Sequence, residues 1–339
     1  MASLRLVAAP AVAALALVWN PPAARACSVC LAGDPRFSEH GTSAQQQGDV
    51  SVYFQLQGWR KQSGLLPHGH EEEHEHEEGE EHEHAEAGGS EENRSHRLDL
   101  FVSWTPLDRV TLTADLPWAF NEIEETEDGA GTTHTLSGLG DVAVSTSFVL
   151  WRNREALAST WLEGRAFVKA PTGRTSRERG GVVDPHLQTG TGSWDYGFGL
   201  AATHRLSWAS GYASGFYRVN GEGDFDGLDY AFGDVVLANL AAEVPVGHAF
   251  GIPTLEWLTF GGELNYRWAE RDRADGDRYE DSGGSVLYAT PSLRVQLPMA
   301  VRERPVSLRG AVQIPTTSAW LDGDQDEEEV WSIGLLVPF

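Results

Sequence analysis

From residue 49 onward the chain alternates greasy and polar side chains, in segments of ten residues or more. That period of two belongs to a strand with one face on an apolar surface, because successive side chains of a pleated chain point opposite ways. In "VSVYFQLQ", Val50, Val52, Phe54 and Leu56 share one face, and Ser51, Tyr53, Gln55 and Gln57 the other. "LDLFVSW" opposes Leu98, Leu100, Val102 and Trp104 to Asp99 and Ser103. "VTLTADLPW" opposes Val110, Leu112, Ala114, Leu116 and Trp118 to Thr111, Thr113 and Asp115. The closing "VWSIGLLVPF" gathers Trp331, Ile333, Leu335, Val337 and Phe339.

The pattern predicts about twelve strands, near 49–60, 96–106, 108–120, 139–151, 158–171, 193–207, 210–220, 229–246, 254–269, 284–298, 305–315 and 329–339. Their spacers alternate in length. Residues 61–95, 121–138, 172–192, 270–283 and 316–328 are long, and 221–228 is intermediate. Residues 107, 152–157, 208–209, 247–253 and 299–304 are short. Short turns and both termini then share one rim, and polar loops occupy the other. One residue breaks the parity: Asp234 falls in line with the outward Val236, Leu240 and Val244. It sits beyond the apolar band at a loop end, or a bulge resets the register.

A soluble β-sandwich would also alternate, but its strands run about five or six residues. Here aromatic residues also gather at segment ends, at Trp104, Trp118, Trp151, Trp194, Trp208, Trp268 and Trp331. A lipid-facing barrel needs tilted strands of about nine to eleven residues, an even strand number and aromatic girdles. It must also close, since an open edge in lipid leaves backbone groups unpaired. The expected fold is all-β: a transmembrane up-and-down antiparallel β-barrel of about 12 strands, of outer-membrane type.

Bulk properties agree. The 339 residues carry 50 acidic and 25 basic side chains, so nucleic acid is not an expected partner. No apolar run of 18 residues follows position 19, which excludes a bundle of membrane helices. Residues 1–26 read as an export signal: Arg5, the apolar stretch 6–19, and small residues in "ARA" at 24–26. The cysteine that follows also admits a lipid anchor. Residues 27–48 are then a periplasmic segment, with "LAGDPRF" either plugging the lumen or docking on a periplasmic partner, and 49–339 form the barrel.

The stretches "GLGDVAVSTSFVLW" (138–151), "KAPTGR" (169–174), "LQTGTGSWDYGFGLAATHRL" (187–206) and the terminal Phe339 carry a resemblance. They resemble the outer-membrane transporters named for the meta-pathway of phenol degradation. The resemblance implies a barrel in the bacterial outer membrane, inserted by the barrel-assembly machinery that reads a closing Phe. It also implies transport of a small solute, including small aromatic or hydrophobic compounds. The shared glycine motifs are expected to close and register the barrel rather than to touch solute. No motif of a catalytic nucleophile, zinc protease or phosphate loop is present, so the protein is not expected to be an enzyme.

Charged residues of inward parity should line the lumen, because a charge on the lipid face at mid-bilayer costs roughly 2–4 kcal/mol. These are Asp115, Glu163, Arg165, Lys169, Arg205, Glu263, Arg267, Arg294 and Arg309. Their mixed signs point to internal pairing and a narrow or gated bore, a closed barrel being the other option. The stretch 68–89, "HGHEEEHEHEEGEEHEHAEAGG", falls in the first long loop, 61–93, expected to be disordered and extracellular. Its pairs His68/His70, His74/His76 and His82/His84 share an i, i+2 spacing that sets both rings on one side of an extended chain. Neutral imidazole with neighbouring carboxylates suits Zn, Ni, Cu or Co, although no cofactor is required. Cys27 and Cys30, in "CSVC", form a small disulfide or a soft metal pair. The expected partners are outer-membrane lipid and either divalent metal ions or a small solute.

Overall fold

A computed structural model describes residues 34–64, 90–127, 130–154, 158–179, 182–278, 282–317 and 326–339. The export signal, Cys27, Cys30 and the loop histidines His68, His70, His74, His76, His82 and His84 lie outside these residues.

Twelve antiparallel strands form a closed barrel. They are β1 (Val50–Gly64), β2 (Ser90–Leu107), β3 (Val110–Glu127), β4 (Ala130–Leu139 continued by Ala143–Arg154), β5 (Ala158–Lys169) and β6 (Asp195–Leu206). The circuit continues through β7 (Ser210–Val219), β8 (Val235–Pro245), β9 (Leu258–Ala269), β10 (Gly284–Val301), β11 (Arg304–Thr317) and β12 (Val330–Pro338). Pairing of β1 with β12, from Ser51↔Pro338 to Gly58↔Trp331, removes both free edges. The predicted strand number and closure are the observed ones.

Alternation decides which wall faces lipid. Leu200 is 55% exposed on the outside, while the next residue, Ala201, is 2% exposed inside. Phe54, Leu98, Leu116, Val144, Phe198, Leu240 and Phe260 continue the outer apolar belt. Exposed aromatics fringe it at the short-turn rim (Trp151, Trp208, Phe250, Phe339) and towards the long-loop rim (Trp118, Phe120, Trp194, Tyr196, Trp331). Such a belt between two girdles is the signature of a barrel solvated by lipid.

Several expected loops are extensions of the sheet. Residues 121–138 are mostly paired strand, from Phe120↔Ser137 to Glu127↔Ala130. The cause is apolar: Ile123 and Leu136 are buried against Leu187 and so hold this hairpin together. Residues 222–278 contribute a second sheet, with strands Glu222–Phe225, Leu228–Ala231, Arg273–Ala274 and Asp277–Arg278. It rests on Phe225, Tyr230, Phe232, Val235 and Ala269. Asp234 lies one residue before β8, where its side chain accepts from Tyr217 Oη (2.5 Å) and the Asn220 amide (3.0 Å). It is a loop-end residue, so the register of β8 is unbroken. The β1–β2 pairing runs as far as Gly64↔Ser90 at the long-loop rim.

Ahead of β1, the chain folds back into the barrel. Helix α1 (Pro35–His40) is capped by Asp34, which accepts from the Arg36 amide at 3.1 Å. Phe37 is buried with Ala201, Tyr212 and Ala241 of the inner wall, its ring 5.0 Å from that of Tyr212. Gly41 ends the helix at φ +56°, where a Cβ would land 2.5 Å from the Glu243 carboxylate. Residues 34–42 of the 27–48 segment therefore lie inside the lumen.

Candidate functional site

Helix α1 narrows the lumen from below. Asp34 accepts from Arg165 Nη1 (2.5 Å) and Ser214 Oγ (2.8 Å), and also from the Tyr212 hydroxyl. Arg36 pairs with Glu163. Arg294 donates to the carbonyls of Glu39 (3.0 Å), Phe37 (3.3 Å) and Ser38 (3.4 Å) at the C-terminal end of the helix. Glu243 accepts from the Thr42 amide and hydroxyl, each at 3.0 Å. Burial works against charge on Asp34, but Arg165 and the two hydroxyls outweigh it and hold this carboxyl below its usual range.

From above, residues 170–179 and 182–194 fold inwards. Three glycine motifs of the sequence meet there, around Asp141 at the break in β4. Its Oδ1 accepts from the Gly173 amide (2.9 Å), and its Oδ2 from the Thr191 amide (2.8 Å) and hydroxyl (2.9 Å). Lys169 Nζ lies 3.1 Å from Asp141 and 2.6 Å from Asp195. A Cβ on Gly190 would sit 2.6 Å from Gly173 Cα, so this contact requires glycine. Asn121 Nδ2 adds bonds to the carbonyls of Leu187 (3.1 Å) and Gln188 (2.8 Å).

Between stopper and loop lies a cavity of about 350 Å³. Seven basic residues line it (Arg36, Lys61, Arg97, Arg165, Lys169, Arg218, Arg309), against seven acidic ones (Asp34, Glu39, Asp99, Asp115, Asp141, Asp195, Glu263). The lining is thus electrically balanced. It also carries Phe101, Phe167, Phe216 and Phe232. The Phe216 ring covers Gly197, where a Cβ would be 2.5 Å from it, and meets Phe167 edge-on with centroids 6.1 Å apart.

Of the residues expected in the lumen, Asp115, Arg165, Lys169, Glu263 and Arg309 line the cavity. Glu163 and Arg294 grip the stopper instead, and Arg267 is fully buried in the inner wall. Arg205 is exposed. It has inward parity but lies one residue from the end of β6, where the lumen opens to water. Asp34, Arg36, Arg97 and Gln55 complete the site and were not singled out by sequence. Arg97 shares the inward parity of Asp99 and Asp115 on paired strands, which is the signal that could have found it. Among the described residues, no group of three His, Cys, Asp or Glu is placed to hold a metal.

Residues 79–301 match the family described by its tie to the MetA-pathway of phenol degradation. The chain belongs to this family. Its glycine motifs, read in space, are the Asp141 junction. An outer membrane channel from Pseudomonas putida F1 is similar in fold at 14% identity and TM-score 0.61, over 91% of this chain and 100% of that one. The translocator domain of the autotransporter NalP from Neisseria meningitidis (9% identity, TM-score 0.42, 88% and 91% covered) is too dissimilar to bear on function. So is the transport unit of AIDA-I from Escherichia coli (12%, 0.42, 84% and 89%). No curated protein matches the sequence.

Proposed function

We propose that this family member is an outer-membrane channel for a small, mainly uncharged solute, held narrow by α1 and by residues 170–194. The charge-balanced cavity inside a closed, lipid-belted barrel carries this reading. Paired charges leave little net field to attract one sign of ion, while Phe101, Phe167, Phe216 and Phe232 offer apolar faces to a ring. The similarity to a protein described as an outer membrane channel supports passage, and the family's description supports aromatic compounds. Swelling of proteoliposomes in resorcinol against sodium, calcium and zinc salts tests it. Faster entry of the neutral ring is expected, and permeability no higher than that of bare liposomes would refute a channel.

A second activity rests on spacing alone. The three His-x-His pairs between His68 and His84, set among glutamates, suit capture of Zn, Ni, Cu or Co at the outer surface. Several such pairs on one tether favour rebinding of a released ion.

A further inference from the structure

Two acceptor oxygens on one wall of the cavity have no hydrogen-bond partner among the described residues. Gln55 of β1 is 4% exposed and its Oε1 is unpartnered. Asp115 of β3 gives Oδ2 to Arg97 Nη2 at 3.2 Å, while its Oδ1 has no partner. Asp99 links them: it is the register partner of Gln55, and Phe101, two residues on, is the partner of Asp115. Arg97 also donates to Asp99 (2.5 Å), so one guanidinium serves two carboxyl groups.

Other basic groups of the lining are already engaged. Arg165 is bound to Asp34, Lys169 to Asp141 and Asp195, and Arg309 to Glu263. Among the described residues Nε of Arg36 and of Arg165 lack partners, but both side chains are committed to the contact between stopper and wall. Buried acceptors without donors are destabilising, so the Gln55–Asp115 wall draws donors from whatever fills the cavity. Further round, Phe167 and Phe216 present faces and edges suited to a ring or an organic cation.

Building on the channel reading, we infer that Gln55 and Asp115, with Phe167 and Phe216, form a solute subsite. It takes a hydrogen-bond-donating head group, neutral or cationic, on a small ring, and rejects a carboxylate. Titration calorimetry of the full chain in detergent with benzylammonium, benzyl alcohol and benzoate tests this, with fold monitored by heat-modifiable gel mobility. Benzoate should bind at least about tenfold more weakly than the other two. Asp115→Asn, which keeps an oxygen but removes the charge, should weaken benzylammonium about tenfold and spare benzyl alcohol. Gln55→Met should weaken both. Equal affinity for benzoate, or unchanged binding in both variants, overturns the subsite. Because no flux is measured, binding that persists in a protein without conductance would remove the channel and leave the subsite standing.

Discussion

Asp34 of the stopper and Arg165 of β5 meet inside the lumen, Oδ2 to Nη1, at 2.5 Å. The pair fixes where α1 sits, because Arg165 also donates to Tyr212 Oη at 2.6 Å and so has one preferred direction. Asp34→Ala leaves that guanidinium short of an acceptor, at a cost of about 1–3 kcal/mol. The temperature at which the barrel loses its compact gel mobility should fall by several degrees. Asp34→Glu should recover part of the loss, since it restores charge at a displaced position.

Acidity should loosen the same contact. A carboxyl held below its usual range contributes stability that is complete above its unfolded value, about 4. That contribution disappears as pH falls through the lower folded value. Bilayer conductance should therefore stay flat from pH 8 to about pH 4 and rise only in stronger acid. A rise centred near pH 6.5 would point to histidine instead.

Asp141 should govern the outer constriction. It holds the amides of Gly173 and Thr191 together with Lys169. Asp141→Ala frees two amides and uncouples residues 170–194 from β4. The expected outcome is a larger and noisier single-channel current with the barrel still folded. Gly190→Val should act likewise, because its side chain would occupy the space of the Gly173 backbone.

Much of this was legible in sequence, for a physical reason. Leu200 and Ala201 differ in exposure because a barrel wall has only two sides, and a period of two records that directly. Strand number followed from counting alternating segments, and closure from the cost of an unpaired edge in lipid. Strand length did not: Ile123 and Leu136 extend the β3–β4 hairpin through contact with Leu187, more than fifty residues away in the chain. The plug was one of two places open to "LAGDPRF", and "DPRF" carries no periodicity to choose between them, because Asp34 finds its partners on β5 and β7. Glycines in the three motifs were visible, but their convergence on Asp141 was not, because the loop path depends on side-chain hydrogen bonds.

Lipid should punish charge on one wall only. Leu240→Arg places a guanidinium in the outer belt and should cost roughly 2–4 kcal/mol in folding into liposomes. Asn239→Asp, on the inner face one residue away, should avoid that penalty. Comparable losses in both would contradict the assignment of faces.

Metal capture is tested by replacing His68, His70, His74, His76, His82 and His84 with alanine. Zinc binding by the intact chain should disappear, and in the unaltered protein it should weaken as pH falls through about 6.5. Barrel folding should be unaffected.

Single-channel recording of the unaltered chain beside Asp34→Ala/Arg36→Ala tests the central claim most directly. A stoppered channel predicts small currents for the first and a several-fold larger conductance for the second. Identical traces from both, or a silent bilayer with folded protein in each, would contradict it.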